Sequence, residues 1–325
     1  MKRHGVPFQM NVKTFIKLIR SDNLLVIALT MFAVRYGMVE SILFAHTPSV
    51  QLQLSSIDFC LLVISTVLIG AAGYIINDYF DVKTDKINKP EKLYIDHGVK
   101  RRVAMLAHMQ FNLIGFMLGA YVSYRAGNIF LSFIPFASIT LLWFYSTHFK
   151  RQLLIGNLVV SVLSAMIPLQ VLLFEKPLIE NIGNLTFLYA TIICFASFGF
   201  LLSMAREIIK DMEDFKGDFE TGCKTMPVVW GIKAAKAVAT IFISNTMLLL
   251  LFIFYKLYQK DFLLLIIYLF LSVFVPCAFL VWRLYRSHSK TEYNTLSKWV
   301  KFIMVTGVLS TVVIYLYCHG YNVSI

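Results

Sequence analysis

The segment NDYFDVKTD at residues 77–85 directly follows a long apolar run, and the segment KDMEDFKGD at residues 210–218 follows another. Both contain the pattern D-x-x-D-x-K-x-D. The aspartates are Asp78, Asp81 and Asp85 in the first motif and Asp211, Asp214 and Asp218 in the second. In a helix, this spacing places three carboxylates along one face. Carboxylates crowded at a membrane boundary repel one another and are costly to desolvate unless a cation holds them. We therefore predict two oxygen-rich Mg²⁺ sites that face each other and bind a diphosphate.

The composition around these motifs predicts an integral membrane protein. Of the 325 residues, 58% are hydrophobic and 15% are charged, whereas a soluble domain carries about 25% charged residues. Runs of about 20 apolar residues, long enough to cross a hydrocarbon core as helix, recur along the chain. We predict an all-α bundle of nine transmembrane helices that forms one domain over residues 1–325. The predicted spans lie near 24–44, 57–76, 104–124, 128–146, 153–174, 185–205, 235–255, 262–282 and 300–319.

The basic residues predict how the bundle is oriented. All but five of the 30 Lys and Arg residues fall in segments that alternate spans bring to one side; the five exceptions are Arg35, Arg125, Lys176, Lys256 and Lys260. The positive-inside rule then places the N-terminus and both motifs in the cytoplasm, and we expect the cell's inner membrane. This distribution also argues against nucleic acid as the partner of a chain with a net charge of +12. Anionic lipid heads and phosphorylated substrates suit it better.

The matched motifs predict two similar halves. Each motif belongs to the polar loop that we expect after the second or the sixth span, so spans 1–4 and 5–8 form equivalent units and span 9 is additional. If the halves pack as a ring, the two aspartate triplets face each other across a central cavity. A solvated helix end, with Lys83 balancing the charge, would explain one such motif but gives no reason for the same spacing twice. Glu213 points to a different face and is expected to contact solvent or to support the ligands.

At these residues the chain resembles the UbiA superfamily of intramembrane prenyltransferases. The segment NDYFDVKTDKINKP at residues 77–90 carries most of the resemblance. The second motif after the sixth span and the total of nine helices agree with it. Tyr145-Ser146 followed by Lys150 is similar to that family's Y-S-x-x-x-K segment, and Asn23 after Arg20 is similar to its first-helix pattern.

The resemblance implies Mg²⁺-dependent transfer of a prenyl group from an isoprenoid diphosphate to a lipophilic acceptor. It implies that two Mg²⁺ ions are held by Asp78, Asp81, Asp211 and Asp214, with help from Asn77, Asp85 and Asp218. Neutralising the diphosphate makes it a competent leaving group. Candidate groups for the substrate's polar atoms are Asn77, Asn23, Lys150, Arg206 and Lys210. Tyr145 is the aromatic residue we expect near the allylic cation, which an aromatic face stabilises. Lys83 and Lys216 recur at one motif position and either bind phosphate or balance the carboxylates.

Two questions about function stay open from the sequence. The run Ile87-Asn88-Lys89-Pro90 resembles the branch that includes digeranylgeranylglyceryl phosphate synthase and favours a prenylglyceryl phosphate acceptor. That branch typically continues with Arg-Pro, whereas this chain continues with Glu91-Lys92, so an aromatic acceptor of quinone or haem O biosynthesis is the alternative. A cation transporter is the alternative of another class. A transporter is expected to hold its carboxylates near mid-membrane, whereas these six lie at one boundary.

Overall fold

A computed structural model describes residues 12–96, 98–181, 183 and 185–320 of the chain. In these ranges, nine helices are long and apolar enough to cross a membrane, in agreement with the predicted number. They are α1 (Ser21–Ala45), α2 (Ser56–Asn88), α3 (Arg101–Arg125), α4 (Ile129–Thr147), α5 (Ile155–Leu173), α6 (Thr186–Glu220), α7 (Met226–Tyr258), α8 (Leu263–Arg286) and α9 (Lys290–Gly320). A short helix, Val12–Leu18, precedes α1.

The two motif helices are longer than the sequence predicted. α2 has 33 residues and α6 has 35. At 1.5 Å per residue each is about 50 Å long, against a hydrocarbon core of about 30 Å. The prediction that loops carry the acidic motifs is therefore wrong, because both motifs are the last turns of these helices. The helices continue until a residue stops them. Pro90 opens the short turn after α2, and Gly222, at φ +73°, lies just beyond α6.

The helices surround a central cavity, as expected. α2 packs on α3, α6 packs on α5, α7 and α9, and α2 and α6 also contact each other. Small residues on α3 allow the close approach. A Cβ at Gly115 would lie 2.8 Å from a side-chain carbon of Ile69, and one at Gly119 would lie 3.0 Å from the hydroxyl oxygen of Ser65, both on α2. The motif helix α2 is therefore held firmly from outside the cavity.

A buried ion pair joins helices at the end of the bundle away from the motifs. Arg35 of α1 lies in a π-helical stretch, Ala33–Val39. Its guanidinium donates to the carboxylate of Glu175 and, at 2.6 Å, to the carbonyl of Leu54. The two charged side chains are only 3% and 1% exposed. Glu175 also accepts the backbone N–H of Gln53 at 2.6 Å. The charge inside span 1 is thus compensated by a partner, as a buried charge requires.

Candidate active site

All six motif aspartates line one cavity of about 740 Å³. The cavity lies between α2 and α6, with α1, α4, α5 and α9 completing its wall. Its other end, beyond the motifs, is walled by apolar groups such as Leu62, Ile69, Leu142 and Leu163. The predicted substrate and cation groups Asn23, Asn77, Tyr145, Lys150, Arg206 and Lys210 line the same cavity. The site residues that were widely separated in sequence are therefore brought together.

The first triplet is held by two cations that come from segments outside α2. Arg20 donates to Asp78 at 2.8 Å, and the Lys150 ammonium lies 2.6 Å from Asp81. Lys150 also donates to the side-chain oxygen of Asn77 at 3.3 Å. The turn after α4 thus brings its lysine onto α2, and the chain before α1 brings its arginine there. Of these two cations, the sequence singled out only Lys150.

The second triplet is held by groups that the sequence did not single out. Asn157 of α5 donates to Asp211 at 2.8 Å. Lys89, just after α2, donates to Asp214 at 2.8 Å, and Thr225 donates to Asp218 at 3.1 Å. These partners lie on other segments and carry no spacing signal. Only the fold reveals them.

Lys89 connects the ends of the two motif helices electrostatically. Besides Asp214, it lies 3.2 Å from the carboxylate of Glu213. Burial alone lowers the pKa of Lys89, but Asp214 and Glu213 together raise it above its ordinary value. Glu213 is 5% exposed and accepts from Asn294 of α9 at 2.8 Å. The option that Glu213 faces solvent is therefore wrong, and it supports the site by holding Lys89.

Asn88 joins the motif helices through hydrogen bonds. Its amide donates to the carbonyl of Asp214 at 2.9 Å, and the backbone N–H of Gly217 donates to its oxygen at 2.9 Å. Lys290 of α9 donates to the Asn88 carbonyl. Gly217 makes room for this amide, because a Cβ there would lie 2.4 Å from the Asn88 nitrogen. The relative position of the two triplets thus depends on one asparagine and one glycine.

The remaining predicted cations divide into two groups. Arg206 and Lys210 both bind Glu207, at 3.1 Å and 2.8 Å. The Nε of Arg206 is buried and has no hydrogen-bond partner among the described residues. By contrast, Lys83 and Lys216 are exposed and lie outside the cavity lining. Their position outside the cavity gives no support to phosphate binding by these two lysines.

The donor set fits divalent cations, although the carboxylates are not preassembled around one. Within the described residues, no group of three acidic, His or Cys side chains is close enough to hold a metal ion. The aspartates instead contact Arg20, Lys150, Lys89 and Asn157. Yet Asp214 Oδ1 is buried with no hydrogen-bond partner in the described chain. Six carboxylates with an orphan oxygen suit a hard cation such as Mg²⁺, provided that side chains move.

A second cavity, of about 730 Å³, lies beside the first between α5, α6, α7, α8 and α9. Its wall is mostly apolar, and none of the six aspartates contributes to it. The polar residues that line both cavities are Asn23, Tyr74, Ser164, Arg206 and Lys301. Asn23 and Asp22 both accept from Lys301, each at 2.6 Å. Asn23 therefore lies where the two cavities meet.

These features define a multi-pass helical membrane protein with an acidic, cation-lined cavity at one end of its bundle. The chain belongs to the UbiA prenyltransferase family, whose model matches residues 24–318. The expectation from the resemblance is confirmed, and the protein is a prenyltransferase.

Individual relatives agree with this assignment. Digeranylgeranylglyceryl phosphate synthase from Thermococcus sibiricus is 29% identical over 240 residues, which are 74% of this chain and 76% of that protein. The synthase from Sulfolobus acidocaldarius is 32% identical over 235 residues, covering 72% and 76%.

Solved structures share the fold. A structure of digeranylgeranylglyceryl phosphate synthase superposes with a TM-score of 0.62 at 21% identity and covers 94% of this chain and 98% of its own. A UbiA homologue from Archaeoglobus fulgidus bound to GPP and Mg²⁺ gives a TM-score of 0.57 at 15% identity and covers 92% and 99%. At these identities the superpositions show the fold alone.

Proposed function

We propose that the protein transfers a prenyl group from an isoprenoid diphosphate to a prenylglyceryl phosphate with Mg²⁺ as cofactor. The observation that carries this proposal is the convergence of six aspartates, from two helices, on one cavity that continues into an apolar region. The acceptor follows from the relatives, since those with 29% and 32% identity are named as synthases of digeranylgeranylglyceryl phosphate. An aromatic acceptor has no comparable support.

The charges of the cavity support a requirement for metal ions. The cavity lining contains nine carboxylates: the six motif aspartates and those of Asp22, Glu207 and Glu213. Nine cationic side chains balance them. These are Lys17, Arg20, Lys89, Lys150, Arg151, Arg206, Lys210, Lys298 and Lys301. A diphosphate added to this neutral lining would leave a large uncompensated negative charge in a poorly hydrated site. Divalent cations at the aspartates would remove that excess.

The reaction exchanges one C–O bond for another. The allylic C–O bond of the donor breaks and diphosphate leaves with the bonding pair. The hydroxyl oxygen of the acceptor bonds to the allylic carbon, and its proton leaves with the released diphosphate. Bound Mg²⁺ would supply charge neutralisation on the leaving group. The cations Lys150 and Lys210 would bind phosphate oxygens, as predicted, and Tyr145 would place an aromatic ring near the allylic cation. The apolar wall would keep water from that cation.

The same proposal gives the orientation in the cell. The ends of α2 and α6 that carry the aspartates are the strongly basic side of the bundle, which the positive-inside rule assigns to the cytoplasm. We place the protein in the inner membrane, where a water-soluble diphosphate head could enter from the cytoplasm and the lipid acceptor from the bilayer. Cation transport, the alternative of another class, gains nothing from membership of a prenyltransferase family.

The test uses the purified protein in detergent with radiolabelled geranylgeranyl diphosphate and geranylgeranylglyceryl phosphate. With Mg²⁺ we expect an acid-stable, diphosphate-free labelled lipid, and with EDTA none. A lipid extract and shorter and longer donors serve as alternative substrates. Complete failure with every pair, in protein shown to be folded, would overturn the proposal. Product formed equally well in EDTA would overturn the role of the metal.

A further inference from the structure

The second cavity is long enough for a lipid chain of its own. On α6 its lining runs from Arg206 to Thr186, and on α9 from Lys301 to Cys318. At 1.5 Å per residue these stretches are about 30 Å and about 25 Å long, close to the thickness of the hydrocarbon core. No motif aspartate lines this cavity, and its lining within the described residues contains no carboxylate. The second cavity is an apolar arm, and at one end it meets the first cavity, which carries the six aspartates and is called the catalytic cavity below.

The end that meets the catalytic cavity is cationic. Arg206 and Lys301 line both cavities. The Nε of Arg206 is buried without a hydrogen-bond partner among the described residues, so this guanidinium has a donor to offer. The carboxylate partner of Lys301 is Asp22, whose side chain is 75% exposed. A solvated ion pair of this kind contributes little, and an anionic ligand can take the ammonium from it.

Three other cations of the catalytic cavity are bound to aspartates of the motifs. Arg20 and Lys150 contact Asp78 and Asp81, and Lys89 contacts Asp214. They therefore surround the place where the donor's diphosphate would bind. Arg206 and Lys301 differ from them, because they also face the apolar arm. A ligand held there would have an anionic head at the junction and a hydrocarbon chain in the second cavity.

We propose that the second cavity binds the acceptor's hydrocarbon chain and that Lys301 and Arg206 bind its phosphate monoester. This inference rests on the proposed function and assigns the two lipid substrates to separate cavities. The donor's chain then lies in the apolar end of the first cavity, along Leu62 and Leu163. The acceptor's hydroxyl meets the donor's allylic carbon at the junction, beside Tyr74.

The decisive comparison uses Lys301→Met and Asp22→Asn with two acceptors, geranylgeranylglyceryl phosphate and its phosphate-free alcohol. We expect Lys301→Met to raise the KM for the phosphorylated acceptor at least ten-fold, to change the KM for the alcohol little, and to leave the KM for the donor unchanged. Asp22→Asn removes only the competing carboxylate and should leave the KM for the phosphorylated acceptor equal or lower.

A merely structural ion pair would behave differently. Both variants would then be impaired in the same direction with either acceptor, and that result would overturn the proposal. Equal use of the two acceptors by the unaltered protein would also overturn it. Binding of radiolabelled phosphorylated acceptor, measured without donor and in EDTA, separates this inference from the proposed function. If binding is present and Lys301-dependent while transfer is absent, only the proposed function fails.

The location of the chain has its own test. Gly307 lines the second cavity, and the nearest atom to a Cβ there is a methyl of Val273 at 4.0 Å. Gly307→Leu would extend into the cavity without displacing a neighbour's backbone. We expect it to weaken binding of the twenty-carbon acceptor at least ten-fold, to affect a ten-carbon acceptor less, and to spare the donor KM. A raised donor KM with unchanged acceptor binding would reverse the assignment of the cavities.

Discussion

A methyl group on Gly217 would occupy the space that the Asn88 amide now fills. The added Cβ would lie 2.4, 2.6 and 2.7 Å from the nitrogen, carbon and oxygen of that amide. Asn88 is 4% exposed, so it cannot move aside without losing its bonds to Asp214 and to the Gly217 N–H. Two hydrogen bonds contribute about 2 kcal/mol, and residual crowding adds about 1 to 3 kcal/mol. The higher helix propensity of alanine offsets about 0.5 to 1 kcal/mol of this loss in stability.

Gly217→Ala should therefore destabilise the protein by about 2 to 4 kcal/mol. In thermal unfolding in detergent this corresponds to a midpoint lowered by about 3 to 6 °C for a chain of this length. Prenyl transfer should fall at least ten-fold, because the displaced amide no longer aligns the two triplets. Lys216→Ala is the matched control: this neighbouring side chain is exposed and outside the cavity, so both measurements should stay near the parent values.

A double-mutant cycle tests the cause. Asn88→Ala removes the amide with which the methyl group of Gly217→Ala would clash. The double variant should therefore be about as stable as Asn88→Ala alone. The coupling between the two sites should then be at least about 1 kcal/mol, beyond the range for independent sites. Additive losses, or a Gly217→Ala variant as stable and active as Lys216→Ala, would refute the argument that this contact holds the motif helices in register.

Three further predictions address the ligands and the scaffold. Asp211→Asn should abolish transfer while the thermal midpoint changes little, and a variant with full activity would exclude Asp211 as a metal ligand. Asn157→Ala removes the amide that orients Asp211 and should raise the Mg²⁺ concentration for half-maximal rate about ten-fold or more; an unchanged Mg²⁺ titration would contradict this. Glu175→Ala removes the buried carboxylate that pairs with Arg35, leaving only the more exposed Glu40 at 3.6 Å, and should cost about 3 to 5 kcal/mol in unfolding free energy. Adding Arg35→Ala should recover part of that loss, and no recovery would argue against an ion-pair origin.

The sequence predicted those features that follow from periodicity and composition. The nine spans follow from apolar runs of membrane length, and the placement of the triplets on one face each follows from the i, i+3, i+7 spacing. The helices that carry them extend farther than predicted. We predicted loops at the charged ends of α2 and α6 because hydropathy reports how apolar a segment is and not whether it is helical. Residues 78–88 remain helical, since nothing before Pro90 interrupts the backbone.

The partners of the aspartates could not be predicted in the same way. Asn157 is a single polar residue in an apolar span, and which helix faces it depends on packing. Asn88 stands directly before Lys89-Pro90, a segment that resembles a turn, although its amide joins two helices. The second cavity is equally invisible in the sequence, because its apolar lining residues are indistinguishable from residues that face lipid.

Because α2 and α6 are about 20 Å longer than the hydrocarbon core is thick, we expect their last turns, which carry the aspartates, to extend beyond it. Under the proposed function, the site takes its diphosphate donor's polar head from water and the hydrocarbon chains of both substrates from the bilayer. Saturation of such a site by its lipid acceptor depends on the mole fraction of acceptor in the bilayer and not on its concentration in the bulk volume. Diluting the membrane with inert phospholipid should slow turnover even when the total amounts of protein and acceptor are constant. In a cell, growth of the membrane by other lipids would lower the mole fraction of the acceptor and so the saturation of this enzyme with acceptor.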